Sequence, residues 1–296
     1  FYFSSYEESP LEKYVYSVDS KGQKKKLTPN KGWNNATFSK TYQYYINTFS
    51  NIDTPPVISL YNAKNKLVRV LEDNQQAQET IKGYAIAPKE FIQIPAADGK
   101  TMLNAWIMKP LDFDPNKKYP VIIYVYGGPH AQMITDSWTA GAGVYLHYLS
   151  QEGFIVFTLD NRGSADRGEA FEQVIHRQCG QAEMRDQMVG VEYLKSLPFV
   201  DAERIGTDGW SYGGFMSTSL KINYPESIKV STAGGPVIDW SYYEIMYGER
   251  YMDTPQENPD GYELTSLKNK TDKLQGKLLM IHCTTDPVVV WQHSLS

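Results

Sequence analysis

The 296-residue chain has little cysteine, no long apolar run and no excess of positive charge. Its two cysteines, Cys179 and Cys283, lie far apart and neither belongs to a C-x-x-C pair, which argues against zinc and thioredoxin-type chemistry. The pattern points to two free, buried thiols, with a disulfide between them left open. No stretch approaches the roughly 20 apolar residues that a membrane-spanning helix requires. The formal net charge is −5, without a basic cluster or interleaved basic and aromatic residues, so nucleic acid is not an expected partner. The opening residues, FYFSSYEESP, lack the basic-then-apolar order and the small-residue cleavage site of a signal peptide. They read as the middle of a strand, and VVVWQHSLS at the other end reads as the start of a helix. Both ends suggest a piece of a longer protein.

What is present is 41% hydrophobic residues, enough to bury the core of one large domain or two modest ones. The 22 tyrosines hint at a β-rich or peptide-binding surface. Residues 13–18, 42–49 and 57–61 are short runs rich in Tyr, Val and Ile, separated by turn residues around Gly22, Gly32 and Asn65. Strand, polar turn and strand suit one to two blades of a β-propeller or the edge of a sandwich. The texture changes near Tyr84. Residues 91–95 and 102–108 read as a hairpin about Asp98-Gly99, and apolar runs at 121–126, 154–159, 204–207, 230–233 and 277–282 then alternate with helical patterns. Within 186–197, Met188, Val191 and Leu194 share one helix face. Such alternation predicts an α/β domain with a mainly parallel sheet and a site beyond the carboxyl ends of its strands. The expected domains are 1–83 and 84–296.

The decisive segment is Gly209-Trp210-Ser211-Tyr212-Gly213-Gly214, which matches G-x-S-x-G. It follows a short strand and opens a helical pattern over 213–222, the setting of the nucleophile elbow of an α/β-hydrolase fold. The turn is sharp, so Gly209 and Gly213 must approach neighbouring backbone where a Cβ would collide. Ser211 is the expected nucleophile, and the Tyr212 N–H at the helix start faces the developing oxyanion. A chance G-x-S-x-G in a glycine-containing loop is the plainer alternative. A serine needs a base and the base an orienting carboxylate, in the chain order Ser, acid, His. Asp286, just beyond the 277–282 run, fits the acid, and it fits an ordinary turn aspartate before Pro287 equally well. Of the five histidines, His130, His147, His176 and His282 precede Asp286, and His293 follows it by too little. His282 is expected to lie within its strand and to pack or hydrogen-bond there. The triad histidine is expected beyond Ser296, which would leave these 296 residues inactive alone.

The elbow followed by Phe215 resembles the nucleophile signature of the prolyl oligopeptidase family, in its dipeptidyl-peptidase IV branch. Val125-Tyr126-Gly127-Gly128-Pro129, Asp160-Asn161-Arg162-Gly163-Ser164, Trp240-Ser241-Tyr242-Tyr243 and Tyr247-Gly248-Glu249-Arg250-Tyr251 are similar to further motifs of that branch. The closest likeness within it is to bacterial prolyl tripeptidyl aminopeptidases. The resemblance is strong from about Lys89 to Ser296 and weaker over the first part, which resembles the last blades of the family's propeller.

The resemblance implies an α/β-hydrolase domain, incomplete at its C-terminus, preceded by the end of a β-propeller. It implies Ser211 as nucleophile, Asp286 as triad acid, and Tyr126 as an oxyanion donor beside the Tyr212 N–H. Tyr212, Val237, Trp240, Tyr243, Tyr247 and Val289 would line a proline pocket, since flat pyrrolidine stacks on aromatic faces; an aromatic core is the bland alternative. Glu244, among these aromatics, could pair with a peptide's free α-ammonium, or be a solvated helix glutamate. Arg250 would brace the region by ion pairing. Two positions depart from the family. Val288 stands where the dipeptidyl enzymes have Asn, which favours tripeptide release, and Cys283 stands where Gly is usual, which requires a thiol pointing into open space.

The implied activity is release of tripeptides or dipeptides from peptide N-termini after proline, with short proline-containing peptides as partners and no cofactor or metal. An esterase or acylaminoacyl-peptidase on the same fold, and a non-catalytic peptide-binding homologue, are the rivals. From the family alone come a periplasmic or envelope location and the question of a homodimer in the full-length protein.

Overall fold

The computed structural model describes residues 1–84, 86–140 and 143–296. The chain forms two compact units, one of Phe1–Ile86 with Ile134–His147 and the other of Ala87–Met133 with Tyr148–Ser296. The change of strand texture near Tyr84 lies close to the first crossing. The short return of 134–147 to the first unit carries no pattern of its own in sequence.

The first unit is antiparallel β. Strands β1 (Tyr2–Ser5), β2 (Tyr14–Val18) and β3 (Lys24–Lys26) make a three-stranded sheet. Strands β4 (Trp33–Phe38), β5 (Tyr44–Asn51), β6 (Thr54–Asn62) and β7 (Leu67–Glu72) make a four-stranded meander, followed by helix α1 (Gln75–Lys82). Tyr14, Val15, Tyr16, Leu27 and Tyr45, with Ile134, Ala140 and Leu146 of the returning segment, are buried apolar residues of this unit, and β7 is exposed throughout. The Asp136 carboxylate accepts the Ile52 N–H at 2.9 Å, and the Asp136 N–H donates to the Leu11 carbonyl at 2.7 Å, which ties the returning segment to both sheets.

The second unit is built on a seven-stranded sheet. Its strands are β8 (Lys89–Pro95), β9 (Met102–Met108), β10 (Tyr119–Tyr124), β11 (Ile155–Leu159), β12 (Val200–Trp210), β13 (Val230–Gly234) and β14 (Lys277–Ile281), in the order β14-β13-β12-β10-β11-β9-β8. The expected hairpin is β8–β9, antiparallel at one edge. The remaining five strands run parallel, as the strand–helix alternation requires. Its helices are α3 (Glu169–Glu172), α4 (Gln181–Ser196), α5 (Tyr212–Asn223), α6 (Ile245–Met252), α7 (Pro259–Thr265) and α8 (Gln292–Leu295), with 3-10 turns at Gln173–Ile175, Trp240–Tyr242 and Lys268–Lys273, while α2 (Val144–Gln151) runs across the boundary between the units. Helix α4 starts five residues before the expected position. Gly180, at φ 94°, turns the chain into it, and the Glu183 side chain accepts the Gly180 N–H at 2.8 Å. The core of this unit packs β9–β12 against α4 and α5 through residues such as Ile107, Val121, Phe157, Leu194, Phe215 and Leu220.

Both cysteines are free. Cys179 is buried as expected. Cys283 is exposed, because it lies on the turn after edge strand β14, whose Leu279, Met280 and Ile281 are themselves exposed. No helix among the described residues is long and apolar enough to cross a membrane.

Candidate active site

Ser211 stands between the last residue of β12 and the first of α5, with φ 60° and ψ −116°. Few L-residues adopt such dihedrals, at a cost of about 1–3 kcal/mol. The surroundings enforce them. A Cβ on Gly209 would lie 2.4 Å from the carbonyls of Val125 and Gly213, and one on Gly213 would lie 2.2 Å from the Val125 carbonyl. Strand β10 therefore continues past the elbow at backbone contact distance, and only glycines allow it. The Ser211 N–H donates to the Gly234 carbonyl at 2.8 Å, and its own carbonyl accepts from the Phe215 N–H at 3.0 Å. As the first residue of α5, Tyr212 has an N–H with no carbonyl one turn back, a donor left for whatever sits beside Ser211.

Asp286 lies on the turn after β14. One carboxylate oxygen accepts the N–H groups of Val288 and Val289 at 2.9 and 3.0 Å. The other faces Gly235, where an added Cβ would sit 3.7 Å from it. Gly234 is the acceptor of the Ser211 N–H, so the folded chain brings Asp286 and Ser211 to the same strand ends although 75 positions of sequence separate them (286 − 211). Both readings of Asp286 hold at the level of geometry: it organises its turn with one oxygen and offers the other.

No histidine among the described residues is hydrogen-bonded to Ser211 or Asp286. His282 lies one residue past β14 rather than inside it. Its Nδ1 meets Ser294 Oγ at 2.6 Å and its Nε2 meets the Val289 carbonyl at 2.7 Å, leaving Asp286 Oδ2 at 3.9 Å, beyond hydrogen-bond length. Its role is to brace the loop that carries Asp286. His293 is buried on α8, and its Nδ1 accepts the Ile238 N–H at 3.0 Å, which pins the segment leading to Trp240. Burial pushes the His293 imidazole down to about 4, with His282 adding to the shift. His130 pairs with Glu172 at 3.1 Å and His176 lies 3.5 Å from Asp253.

Tyr126 follows β10 by two residues. Its ring lies 6.1 Å from that of Tyr212, and burial raises its phenol above the ordinary range. Tyr212 packs at 5.4 Å from both Phe215 and Trp240. Trp240 in turn stacks on Tyr247 at 6.0 Å with 12° between the planes and meets Tyr243 edge-on at 5.5 Å. Val237 and Val289 are buried. The expected pocket residues Tyr212, Trp240, Tyr243 and Tyr247 are thus one continuous aromatic cluster reached from the nucleophile by a single residue. Tyr243 and Tyr247 do not share a helix, because Tyr243 precedes α6. Glu244 is the N-cap of α6, exposed, and accepts the Met246 N–H at 3.0 Å. It differs from a mid-helix glutamate in having one oxygen committed to the cap and one free. Arg250 is exposed and, among the described residues, makes no ion pair. Ion pairing at its neighbour Asp253 comes instead from Arg177, at 3.4 Å.

Three buried polar residues of α4 escaped sequence reasoning. Glu183 Oε1 accepts the Tyr212 hydroxyl at 2.6 Å. Asp186 accepts from Arg162 and from the Ala97 N–H, with contacts of 2.9–3.0 Å. Gln187 donates to Asn161 Oδ1 at 2.9 Å, and Asn161 donates to the Gly127 carbonyl at 3.0 Å, next to Tyr126. A signal was present: positions 183, 186 and 187 extend backward, at helical spacing, the face of Val191 and Leu194.

The sequence matches the model of the prolyl oligopeptidase family over residues 142–296 and the model of the dipeptidyl peptidase IV (DPP IV) N-terminal region over residues 1–56. It is 32% identical over 304 residues to dipeptidyl peptidase 8 of Mus musculus, covering 99% of this chain and 34% of that protein. It is 35% identical over 263 residues to a probable dipeptidyl peptidase 4 of Aspergillus flavus, covering 88% of this chain and 34% of that protein. Among solved structures, dipeptidyl peptidase 4 of Porphyromonas gingivalis superposes with TM-score 0.95 at 41% identity, covering 99% of this chain and 41% of that one. A putative dipeptidyl aminopeptidase IV of Bacteroides ovatus superposes with TM-score 0.91 at 48% identity, covering 96% of this chain and 40% of that one. The chain spans about a third of the length of the curated relatives it matches. Propeller end and α/β-hydrolase domain are both shown by these matches, and the chain belongs to the prolyl oligopeptidase family, in its dipeptidyl-peptidase IV branch.

Proposed function

We propose that this chain carries the nucleophile of a serine exopeptidase that releases short peptides from N-termini by cleaving after proline. The observation that supports it most is the Ser211 elbow joined, through Tyr212, to the aromatic cluster of Trp240, Tyr243 and Tyr247. A proline ring held in that cluster places its carbonyl next to Ser211. Ser211 Oγ then attacks the carbonyl carbon, and the Tyr212 N–H and Tyr126 hydroxyl take the oxyanion. Collapse expels the amine of the remaining peptide, and water releases the acyl group from Ser211. Asp286 orients the base, a histidine not found at the site among the described residues, so these residues alone are not expected to turn over. Glu244 pairs with the substrate's α-ammonium and so fixes how many residues precede the scissile bond.

Peptide length has two supports that point apart. The relatives' names are dipeptidyl, while Val288, in place of the Asn of the dipeptidyl enzymes, supports tripeptide release. The full-length protein, tested with H-Ala-Pro-p-nitroanilide and H-Ala-Ala-Pro-p-nitroanilide as wild type and Ser211→Ala, decides. Serine-dependent release from the longer substrate alone supports the tripeptidyl form, and from the shorter the dipeptidyl form. Release from neither, with turnover of p-nitrophenyl esters, moves the protein to the esterases, and no turnover at all to a peptide-binding role. An envelope location and a homodimer belong to the same proposal.

A further inference from the structure

Acyl transfer leaves one buried group beneath the nucleophile unused. Glu183 is fully buried on the first turn of α4. Its Oε1 accepts two hydrogen bonds, from the Tyr212 hydroxyl at 2.6 Å and the Gly180 N–H at 2.8 Å. Its Oε2 is buried and, among the described residues, has no hydrogen-bond partner. Capping α4 would need only an acceptor at the protein surface, where most helix starts lie. Here the carboxyl has been carried into the core, which is costly unless the contact it makes there matters.

The contact is with the residue after Ser211. Tyr212 is gripped at its ring by Phe215 and Trp240. Its hydroxyl donates to Glu183 Oε1 at 2.6 Å, with the buried Cys179 thiol also in hydrogen-bond contact with Tyr212. At its backbone end, Tyr212 is covalently bound to the strained Ser211 and carries the N–H that faces the oxyanion. We propose that Glu183 is a positioning residue for the acyl-transfer site, clamping the Tyr212 hydroxyl so that the Tyr212 N–H and the Ser211 elbow keep their geometry. It touches no reacting atom. The inference rests on the acyl-transfer reading of Ser211. Around Glu183 the other titratable groups are the Cys179 thiol, the phenols of Tyr212 and Tyr247, and Asp186, which is paired with Arg162. Burial pushes the Glu183 carboxyl up to about 7, and in either protonation state Oε1 remains an acceptor.

The test is a double-mutant cycle on the full-length protein. Glu183→Ala, Tyr212→Phe and the double variant are compared with wild type for the rate at which diisopropyl fluorophosphate phosphorylates Ser211, with loss of fluoride, and for kcat and KM on the better p-nitroanilide. We expect each single variant to lose about tenfold or more in labelling rate and kcat with KM within about threefold, and the double variant to be no worse than either. Glu183→Gln, which keeps the acceptor, should recover to within about threefold of wild type. Additive losses, or a glutamine variant as slow as the alanine one, overturn the proposal. If Glu183→Ala does not fold, Glu183→Met fills the same space without an acceptor: slow labelling beside a normal glutamine variant supports the clamp, and equal labelling overturns it. A wild type that diisopropyl fluorophosphate does not label overturns the acyl-transfer reading itself, and the clamp with it.

Discussion

At the scale of single residues, the elbow is a balance between a strained serine and the glycines that surround it. The closest approach is at Gly213, where an alanine Cβ would meet the Val125 carbonyl at 2.2 Å. Val125 directly follows β10 and is held by its N–H to the Asp208 carbonyl at 2.9 Å, so Gly213→Ala must displace either that segment or the first turn of α5. We expect Gly213→Ala to cost about 4 kcal/mol or more, in the range reserved for backbone clashes and gross core disruption, and to abolish labelling of Ser211 by diisopropyl fluorophosphate. Denaturant unfolding and labelling check it together, and a folded, labelled variant would show that the approach is softer than the distances imply. Tyr126→Phe is the opposite kind of change. It keeps the ring beside Tyr212 and removes one donor, so kcat should fall about 10²–10³-fold with little change in stability. An unchanged kcat in Tyr126→Phe would take Tyr126 out of the oxyanion site.

At the scale of elements, α4 shows what could and could not be read from the chain. Its apolar face was legible because Met188, Val191 and Leu194 repeat at helical spacing. The elbow was legible because its glycines, serine, preceding strand and following helix are all local. Glu183, Asp186 and Gln187 share that face of α4 at helical spacing, but polar residues near a helix start ordinarily face water, and the partners that bury them, Tyr212, Arg162, Ala97 and Asn161, are far away in sequence. For the histidines, which loop His282 and His293 brace depends on partners that only the fold supplies. Asp186 makes the strongest claim among the α4 residues, being fully buried with an arginine that is itself mostly covered. Removing one member of a buried pair strands the other charge, so Asp186→Ala should cost about 3–5 kcal/mol. Replacing Glu183 has a different signature. Its folded carboxyl titrates at about 7, above its unfolded value near 4.5, so the native state holds its proton after the unfolded chain has lost it. The stability this adds is full below about 4.5 and is lost as pH rises toward 7. Relative to Glu183→Gln, wild type should therefore become less stable over that window, by urea midpoints at fixed ionic strength. A parallel pH dependence of the two would remove the shift.

At the scale of the whole molecule, the two compact units differ in how much apolar surface each buries. Among the described residues, the large core cluster lies entirely within the second unit, from Ile94 to Val289. The first unit relies on a few buried tyrosines and aliphatics in small antiparallel sheets, and its edge strand β7 leaves Leu67, Val68, Val70 and Leu71 exposed. Local opening is easiest where few buried contacts hold the backbone hydrogen bonds. Chains of more than one unit also need not unfold in a single step. We therefore expect hydrogen exchange on the 296-residue chain to be fastest in β7, next in β4–β6, and slowest in β10–β12, where strands are paired on both sides and covered by α4 and α5. Thermal unfolding should show a weaker transition that removes protection from the first unit while probes of the second, such as protection of the Val121–Ile205 ladder, persist. A single transition with uniform loss of protection would mean that the second unit's core stabilises the whole chain, and that its larger size does not make it the more independent of the two.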